Sequence, residues 1–229
     1  MANTCTGTSR TRTEGASPAQ EACRYTGGMT LAYTIGLFRG PEITPWLDDV
    51  ARLRVAVFRD WPYLYDGDLD FERDYLDAYA RSAESVFVLA MDAGQVVGAS
   101  TGLPLADDTE AFRQPFVDSG MDPEDIFYFG ESVLLPAYRG NGIGHTFFDL
   151  REAHARALGR FGWTAFCAVD REPGDPRRPD GHRGNEVFWD KRGYTRQPGM
   201  TMRLAWNEIG RGEVDHALTF WLRGLEPMR

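Results

Sequence analysis

Several groups of residues in this sequence have the types and spacing to do chemistry. The first is the run Arg139-Gly140-Asn141-Gly142-Ile143-Gly144-His145, which follows an apolar segment closed by Pro136 and opens a long periodic one. Glycines at alternate positions let successive backbone N–H groups converge, and the start of a helix adds its positive dipole end, so the run can cradle a pyrophosphate. A strand-to-helix turn needing glycine for its geometry alone would carry the same residues. His145 is placed either to bond a phosphate or simply as an exposed residue at a helix start. The second group is acidic: Asp60, Asp66, Asp68, Asp70, Glu72, Asp74 and Asp77 surround Trp61-Pro62-Tyr63-Leu64-Tyr65, with Arg59 and Arg73 opposed. This is either a surface for a cationic ligand or a solvated acidic face with aromatics packing the helix ends.

Other chemistries fail on spacing. A dinucleotide fingerprint would need glycine where His145 stands. The nucleophile elbow begins with Gly130-Glu131-Ser132 but meets Leu134 in place of the closing glycine. Lys191, the one lysine, follows Asp190, where a P-loop needs glycine. His145, His154, His182 and His216 share no ligand spacing, so no metal site is expected. Cys5, Cys23 and Cys167 form no C-x-x-C pair, and Cys167 reads as a small buried hydrophobe.

The elements that must position these residues alternate between strand and helix. Leu31, Tyr33, Ile35 and Leu37 alternate as a strand, while 46–58 and 71–82 carry helical spacing. Residues 85–91 and 95–103 form a hairpin over Asp92-Ala93-Gly94. A long acidic connection, 106–125, leads to a strand over 126–135. Residues 143–161 give the clearest helix, with Ile143, Phe147, Leu150, His154, Leu158 and Phe161 on one face. A buried strand over 164–169, a loop, a short helix closing at Gly193 and two tail strands, 201–206 and 217–222, complete the pattern. Residues 1–28 have no hydrophobic period and are expected to be a disordered leader or to precede the true start at Met29. Residues 29–229 are then one domain that includes the tail.

The motif Arg139-x-x-Gly142-x-Gly144 after a strand ending in proline resembles the acyl-CoA-binding motif of the GNAT superfamily of N-acyltransferases. The resemblance covers most of 30–194 in element order, and Phe188 to Tyr194 is similar to the superfamily's second signature. The tail, with Gly199-Met200-Thr201, Ala205-Trp206 and Phe220-Trp221, is similar to a bacterial branch of unassigned substrate, often encountered beside carbon–nitrogen hydrolases. The implied fold is α/β of the α+β kind, a mixed and mostly antiparallel sheet splayed at the motif strand and flanked by helices.

The resemblance also implies roles. Val133 and Leu134, with Leu135 adjacent, would hold the pantetheine of acetyl-CoA, and Arg139, Gly140, Asn141, Gly142, Ile143, Gly144 and His145 its pyrophosphate. Presenting an amine of pKa about 10.4 as the neutral nucleophile costs on the order of 4 to 5 kcal/mol at pH 7, which calls for a general base. Glu131, on the motif strand, is the first choice, with a structural carboxylate as the alternative. Tyr63 and Tyr65 lie in the region that helps form the acceptor wall. The tyrosine that often protonates the thiolate is replaced by Trp189, so no general acid is assigned. The expected activity is transfer of an acetyl group from acetyl-CoA to the amine of a small molecule, within a ternary complex. The rival is a non-catalytic CoA-binding or regulatory module.

The formal net charge is −9, with 25 basic against 34 acidic residues over 229 positions, which argues against nucleic acid as a partner. No apolar run approaches a membrane span, so no membrane association is expected. The unpaired cysteines fit a reducing cytoplasm. Relatives of this kind commonly form homodimers.

Overall fold

The computed structural model describes residues 23–25 and 33–226. Among these the strands form one nine-stranded sheet, in the order β1-β2-β3-β4-β5-β7-β9-β8 with β6 paired beside β5 on the same edge of β4. The strands are β1 (Cys23–Tyr25), β2 (Tyr33–Arg39), β3 (Val86–Asp92), β4 (Gln95–Pro104), β5 (Ile126–Tyr128), β6 (Ser132–Leu134), β7 (Trp163–Val169), β8 (Thr195–Glu208) and β9 (Gly212–Gly224). The helices are α1 (Leu47–Phe58), α2 (Leu69–Arg81), α3 (Glu110–Asp118), α4 (Ile143–Leu158) and α5 (Glu186–Lys191). Pairing is antiparallel except between β5 and β7.

The central strand shows why the molecule has three layers. β3 is apolar on both faces, and its alternation sends Phe87 and Leu89 into one core and Val86, Val88 and Ala90 into the other. The first core takes Val50 and Leu53 of α1, Leu76 and Tyr79 of α2 and Phe116 of α3; the second takes Phe147 and Phe148 of α4 with Tyr194 and Trp221. Helix ends follow local chemistry. Asp68 caps α2 by accepting from the Phe71 amide at 2.9 Å, and Gly159 ends α4 in the left-handed conformation at φ 73°.

Four expectations are corrected. The connection 106–125 contains α3, a helix interrupted in its pattern by Pro115 and hidden among acids. The strand expected over 126–135 is two strands, β5 and β6. Both tail strands are longer than expected, because each pairs along nearly its whole length with the other. Within the expected leader, residues 23–25 form β1 against β2; the rest of 1–28, and Leu31, lie outside the described residues.

The break in the motif strand creates the opening in the sheet. The Phe129 amide still donates to Ala165 O of β7 at 2.8 Å, whereas Gly130 N donates to Thr101 O of β4 at 3.2 Å. The chain therefore crosses from one neighbour to the other at Gly130, where an added Cβ would lie 2.7 Å from both Thr101 Oγ1 and Tyr79 Oη. Beyond this point β6 pairs only with β4, and Phe166 to Val169 of β7 pair only with β9. Arg151 of α4, 1% exposed, holds the crossing. Its Nη1 donates to Thr101 O and Glu131 O, both at 3.0 Å, and its Nη2 to Ser132 Oγ at 2.8 Å. Burial pulls its pKa down to about 10, still high enough to keep it charged at neutral pH.

Candidate active site

On the α4 side, the site is a backbone cradle. Gly140 and Gly142 sit at φ 80° and 82°, a conformation other residues rarely adopt, and a Cβ on either would point into open space. No side chain caps α4 at Gly142, and while the His145 amide donates to Gly142 O at 2.9 Å, the amides of Ile143 and Gly144 at the helix start are left for an anion. The loop is braced from behind: Arg139 Nε donates to Leu134 O at 3.1 Å, Asn141 Nδ2 to Tyr138 O at 3.1 Å, and Tyr33 Oη to Asn141 O at 3.3 Å. His145 lies beside the loop with its ring 4.8 Å from that of Phe188, and Arg192 Nη1 is 3.4 Å from its Nδ1.

β6 continues the cradle into the opening. Leu135 N donates to Val97 O and Thr101 N to Glu131 O, so in an antiparallel ladder Val133 also turns its backbone groups toward β4. The alternating groups of Ser132 and Leu134 face the splayed side. Val133 is fully buried and shapes the cradle from within, while Ser132, which spacing did not single out, has its backbone at the open edge. An uncapped helix start, two left-handed glycines and a strand edge without a partner strand fit a pyrophosphate joined to an extended pantetheine arm.

At the floor of the opening lies Glu131, 7% exposed. Arg54 of α1, also 7% exposed, places Nη1 2.6 Å from Glu131 Oε2 and donates Nε to Glu72 of α2, which is 1% exposed. Its guanidinium carbon lies 4.3 Å over the Tyr75 ring and 4.9 Å over Phe58. Burial works against its charge, and Glu131, Tyr75 and Glu72 more than compensate, raising its pKa above the ordinary value. Two buried carboxylates thus share one arginine, and Glu131 Oε1 is buried without a hydrogen-bond partner among the described residues. The other acids of the 59–77 stretch face solvent, as in the surface pairs Arg73–Asp70 and Arg59–Asp66.

Hydroxyls and one more acid border this floor. Tyr75 Oη donates to Tyr79 Oη at 2.9 Å, and Tyr79 Oη to Asp108 Oδ2 at 3.3 Å. Burial drives both tyrosine pKa values well up, and it raises that of Asp108 to about 6 despite bonds from the Thr109 amide and Tyr79. Cys167 lies 3.1 Å from Tyr128 Oη, and burial pushes its thiol up to about 12, which makes it inert as a nucleophile.

The outer wall joins the loop between α1 and α2 to the tail hairpin. Arg171 donates to Pro62 O at 2.6 Å and Tyr63 O at 2.9 Å while pairing with buried Glu208 at 3.3 Å. Trp206 Nε1 adds a bond to Tyr63 O at 3.1 Å, and its ring stacks on His216 at 3.8 Å. Tyr63 packs between Phe58 and Trp206, and burial raises its pKa, with Cys167 and Glu131 adding to the shift. Tyr65 is buried and turned toward Glu72. Both tyrosines expected at the acceptor wall thus border the Arg54 cluster.

Trp189 packs against Phe166 at 5.0 Å and Trp221 at 5.1 Å, and Tyr194 is buried with its hydroxyl on Thr164 and Glu152. His154 is half-committed to structure through Glu84 O at 2.8 Å. No group of three metal-ligating side chains is found among the described residues. Surface depressions of about 380 and 520 Å³ lie between α3 and the tail strands, away from all these groups. They carry no cluster of catalytic type.

Sequence spacing missed Arg54, Glu72 as an inward group, Tyr75, Tyr79, Asp108 and Arg151. A signal existed for some of them: Arg54 falls four residues after Val50 on the apolar stripe of α1, and Glu72, Tyr75, Leu76 and Tyr79 share one face of α2. Asp108 gave none.

The sequence model of the acetyltransferase (GNAT) family matches residues 50–173, which run from within α1 through β7 and hold the cradle and Glu131. The chain belongs to the GNAT acetyltransferase family. Solved structures of similar fold include an aminoglycoside 6′-N-acetyltransferase complexed with coenzyme A, at 16% identity and TM-score 0.54, covering 84% of this chain and 98% of that one. A ribosomal-protein-alanine N-acetyltransferase from Brucella melitensis matches at 18% identity and TM-score 0.50, covering 82% and 99%. The Salmonella typhimurium protein solved with its cofactor acetyl-CoA matches at 13% and TM-score 0.50, covering 86% and 95%. Curated protein sequences give no match. At these identities the likeness establishes the GNAT fold, and the acceptors named for those proteins remain theirs. No helix among the described residues is long and apolar enough to cross a membrane.

Proposed function

We infer that this GNAT acetyltransferase transfers the acetyl group of acetyl-CoA to the amine of a small cationic molecule, acting in the cytoplasm and within a ternary complex. The observation that carries this reading is the buried carboxylate at the floor of the opening: Glu131 shares Arg54 with Glu72, and its Oε1 has no hydrogen-bond partner among the described residues. A buried carboxylate in that condition is costly until a cation arrives, so an ammonium beside Glu131 completes the cluster. Acetyl-CoA supplies an activated thioester. Val133 and Leu134, with Leu135 adjacent, hold its pantetheine, Leu134 at the open edge and Val133 shaping the cradle from within, and Arg139, Gly140, Asn141, Gly142, Ile143, Gly144 and His145 receive its pyrophosphate. Glu131 is the catalytic carboxylate that meets the amine, while Tyr63 and Tyr65 line the acceptor side.

The test is thiol release from acetyl-CoA with tyramine, spermidine and kanamycin as primary-amine probes, against their carboxylate or alcohol counterparts. Amine-dependent release with no response to the counterparts is expected. Tight CoA binding with no acceptor-dependent release would identify a CoA-binding module instead.

A further inference from the structure

The reading above leaves open where the ammonium proton goes, and the following inference rests on that reading. Glu131 is poorly placed to take it, because one of its oxygens already faces the Arg54 guanidinium at 2.6 Å. A second route is built into the same floor. A carboxylate only accepts hydrogen bonds, so Tyr79 must donate to Asp108 Oδ2; its oxygen then accepts from Tyr75, and the Tyr75 oxygen keeps a lone pair for an outside donor. Both links point the same way. The open end, Tyr75, is stacked on the Arg54 guanidinium that holds Glu131. Tyr79 Oη lies so close to Gly130, the residue before Glu131, that a Cβ there would be 2.7 Å from it.

We propose that Tyr75, Tyr79 and Asp108 form a proton relay that takes one proton from the Glu131-bound ammonium and ends on the Asp108 carboxylate. The ammonium N–H bond breaks as its proton passes to Tyr75 Oη, whose own proton moves to Tyr79 Oη and that of Tyr79 to Asp108 Oδ2. The neutral amine attacks the thioester carbonyl carbon, the C–N bond forms, and the C–S bond breaks with its electron pair leaving on sulfur. The thiolate takes the second nitrogen proton. One proton remains on Asp108 for release to solvent, so the products are amide, CoA thiol and one proton.

Asp108 suits this end of the relay. It is reached from α2 by Tyr79, from α3 by Arg113, from the motif strands by Glu131 and Tyr128, and from β7 by Cys167; it also accepts from the Thr109 amide at 2.7 Å. Burial outweighs the Arg113 cation and the hydrogen bonds, leaving a carboxyl that titrates near 6. Transfer to such a group is roughly a hundredfold less uphill than to a carboxylate at its ordinary value. The two tyrosines stay protonated for the opposite reason, since burial resists their anions.

The experiment combines two readouts on the full chain. In the amine-dependent assay, the wild-type rate should fall on an acid limb near pH 6. Asp108→Asn and Tyr79→Phe should each lower the rate about a hundredfold with CoA affinity unchanged, and Asp108→Asn should abolish that limb. Asp108→Glu should restore part of the rate, which a merely structural carboxylate would not require. Wild-type rates and pH profile in Asp108→Asn would overturn the relay. The second readout needs no acceptor: the carboxyl carbon of Asp108, assigned by its loss in Asp108→Asn, is titrated by NMR. A midpoint near 6 that moves upward in Tyr79→Phe is expected; a midpoint near 4, or one indifferent to Tyr79→Phe, overturns the proposal. If every amine probe is inert, the transferase reading fails by itself, and the titration still decides whether Asp108 is the poised end of a coupled chain.

Discussion

Glu131 and Gly142 separate two tasks that lie only a strand apart in the sequence. Gly142→Glu must force a left-handed backbone at φ 82° on a residue that resists it and put an anion into an anion cradle. At least a tenfold loss of acetyl-CoA affinity by calorimetry is expected, with the circular dichroism of the folded protein kept. Glu131→Gln removes the charge that receives the ammonium and leaves Arg54 paired with Glu72. The KM of the acceptor should rise at least tenfold, with the Kd of CoA changed less than twofold. Asp108 gives a stability prediction of definite sign. Its pKa is raised on folding from 3.8 to about 6, so the native state binds that proton more tightly than the unfolded chain does. Stability contributed in this way is full below pH 4 and is lost as pH climbs toward 6. Asp108→Asn, which can still accept from Tyr79, should therefore stabilise the protein above pH 7 by about 2 kcal/mol after allowance for partial exposure, and by little at pH 4. Chemical denaturation at the two pH values measures the difference.

At the scale of elements, the acceptor wall depends on one clamp. Arg171, at the end of β7, fastens the Pro62 and Tyr63 carbonyls to Glu208 of β8. Arg171→Ala frees the loop between α1 and α2 and leaves Glu208 to Arg177, Arg211 and His216. The acceptor KM should rise while the CoA Kd and the acid limb of the pH profile hold. Periodicity made α1, α2, α4 and the β3–β4 hairpin legible because each buries one regular face. The break between β5 and β6 was not legible from alternation: Phe129, Gly130 and Glu131 continue an apolar-polar pattern, and the crossing is fixed by Arg151, twenty residues after Glu131. The glycine cradle could be read because it acts through the backbone and leaves its mark in residue type. The Arg54 cluster left only a positional trace, Arg54 on the apolar stripe of α1 and Glu72, Tyr75 and Tyr79 on one face of α2, because arginine, glutamate and tyrosine on amphipathic helices read as ordinary surface until the sheet turns them inward. Asp108 is the extreme case, one acid among seven in its connection.

At the scale of the whole molecule, the acid surplus divides the two ligands. A chain of net charge −9 repels an anionic cofactor at long range and attracts a cationic acceptor. Raising salt from 50 to 500 mM should therefore increase the acceptor KM severalfold, while CoA affinity, whose long-range repulsion is screened at the same time, should not weaken in parallel. The sheet itself has a mechanical property that follows from β5. That strand is the common member of the two ladders: it pairs with β4 at Leu103 and Pro104, and with β7 at Ile126 to Tyr128. Two leaves joined over about 10 Å of ladder behave as arms about a short axle. A few degrees of twist at Phe127 displace the far ends of β6 and β7 by more than they displace anything near the axle, and those far ends flank the place where thioester and amine would meet.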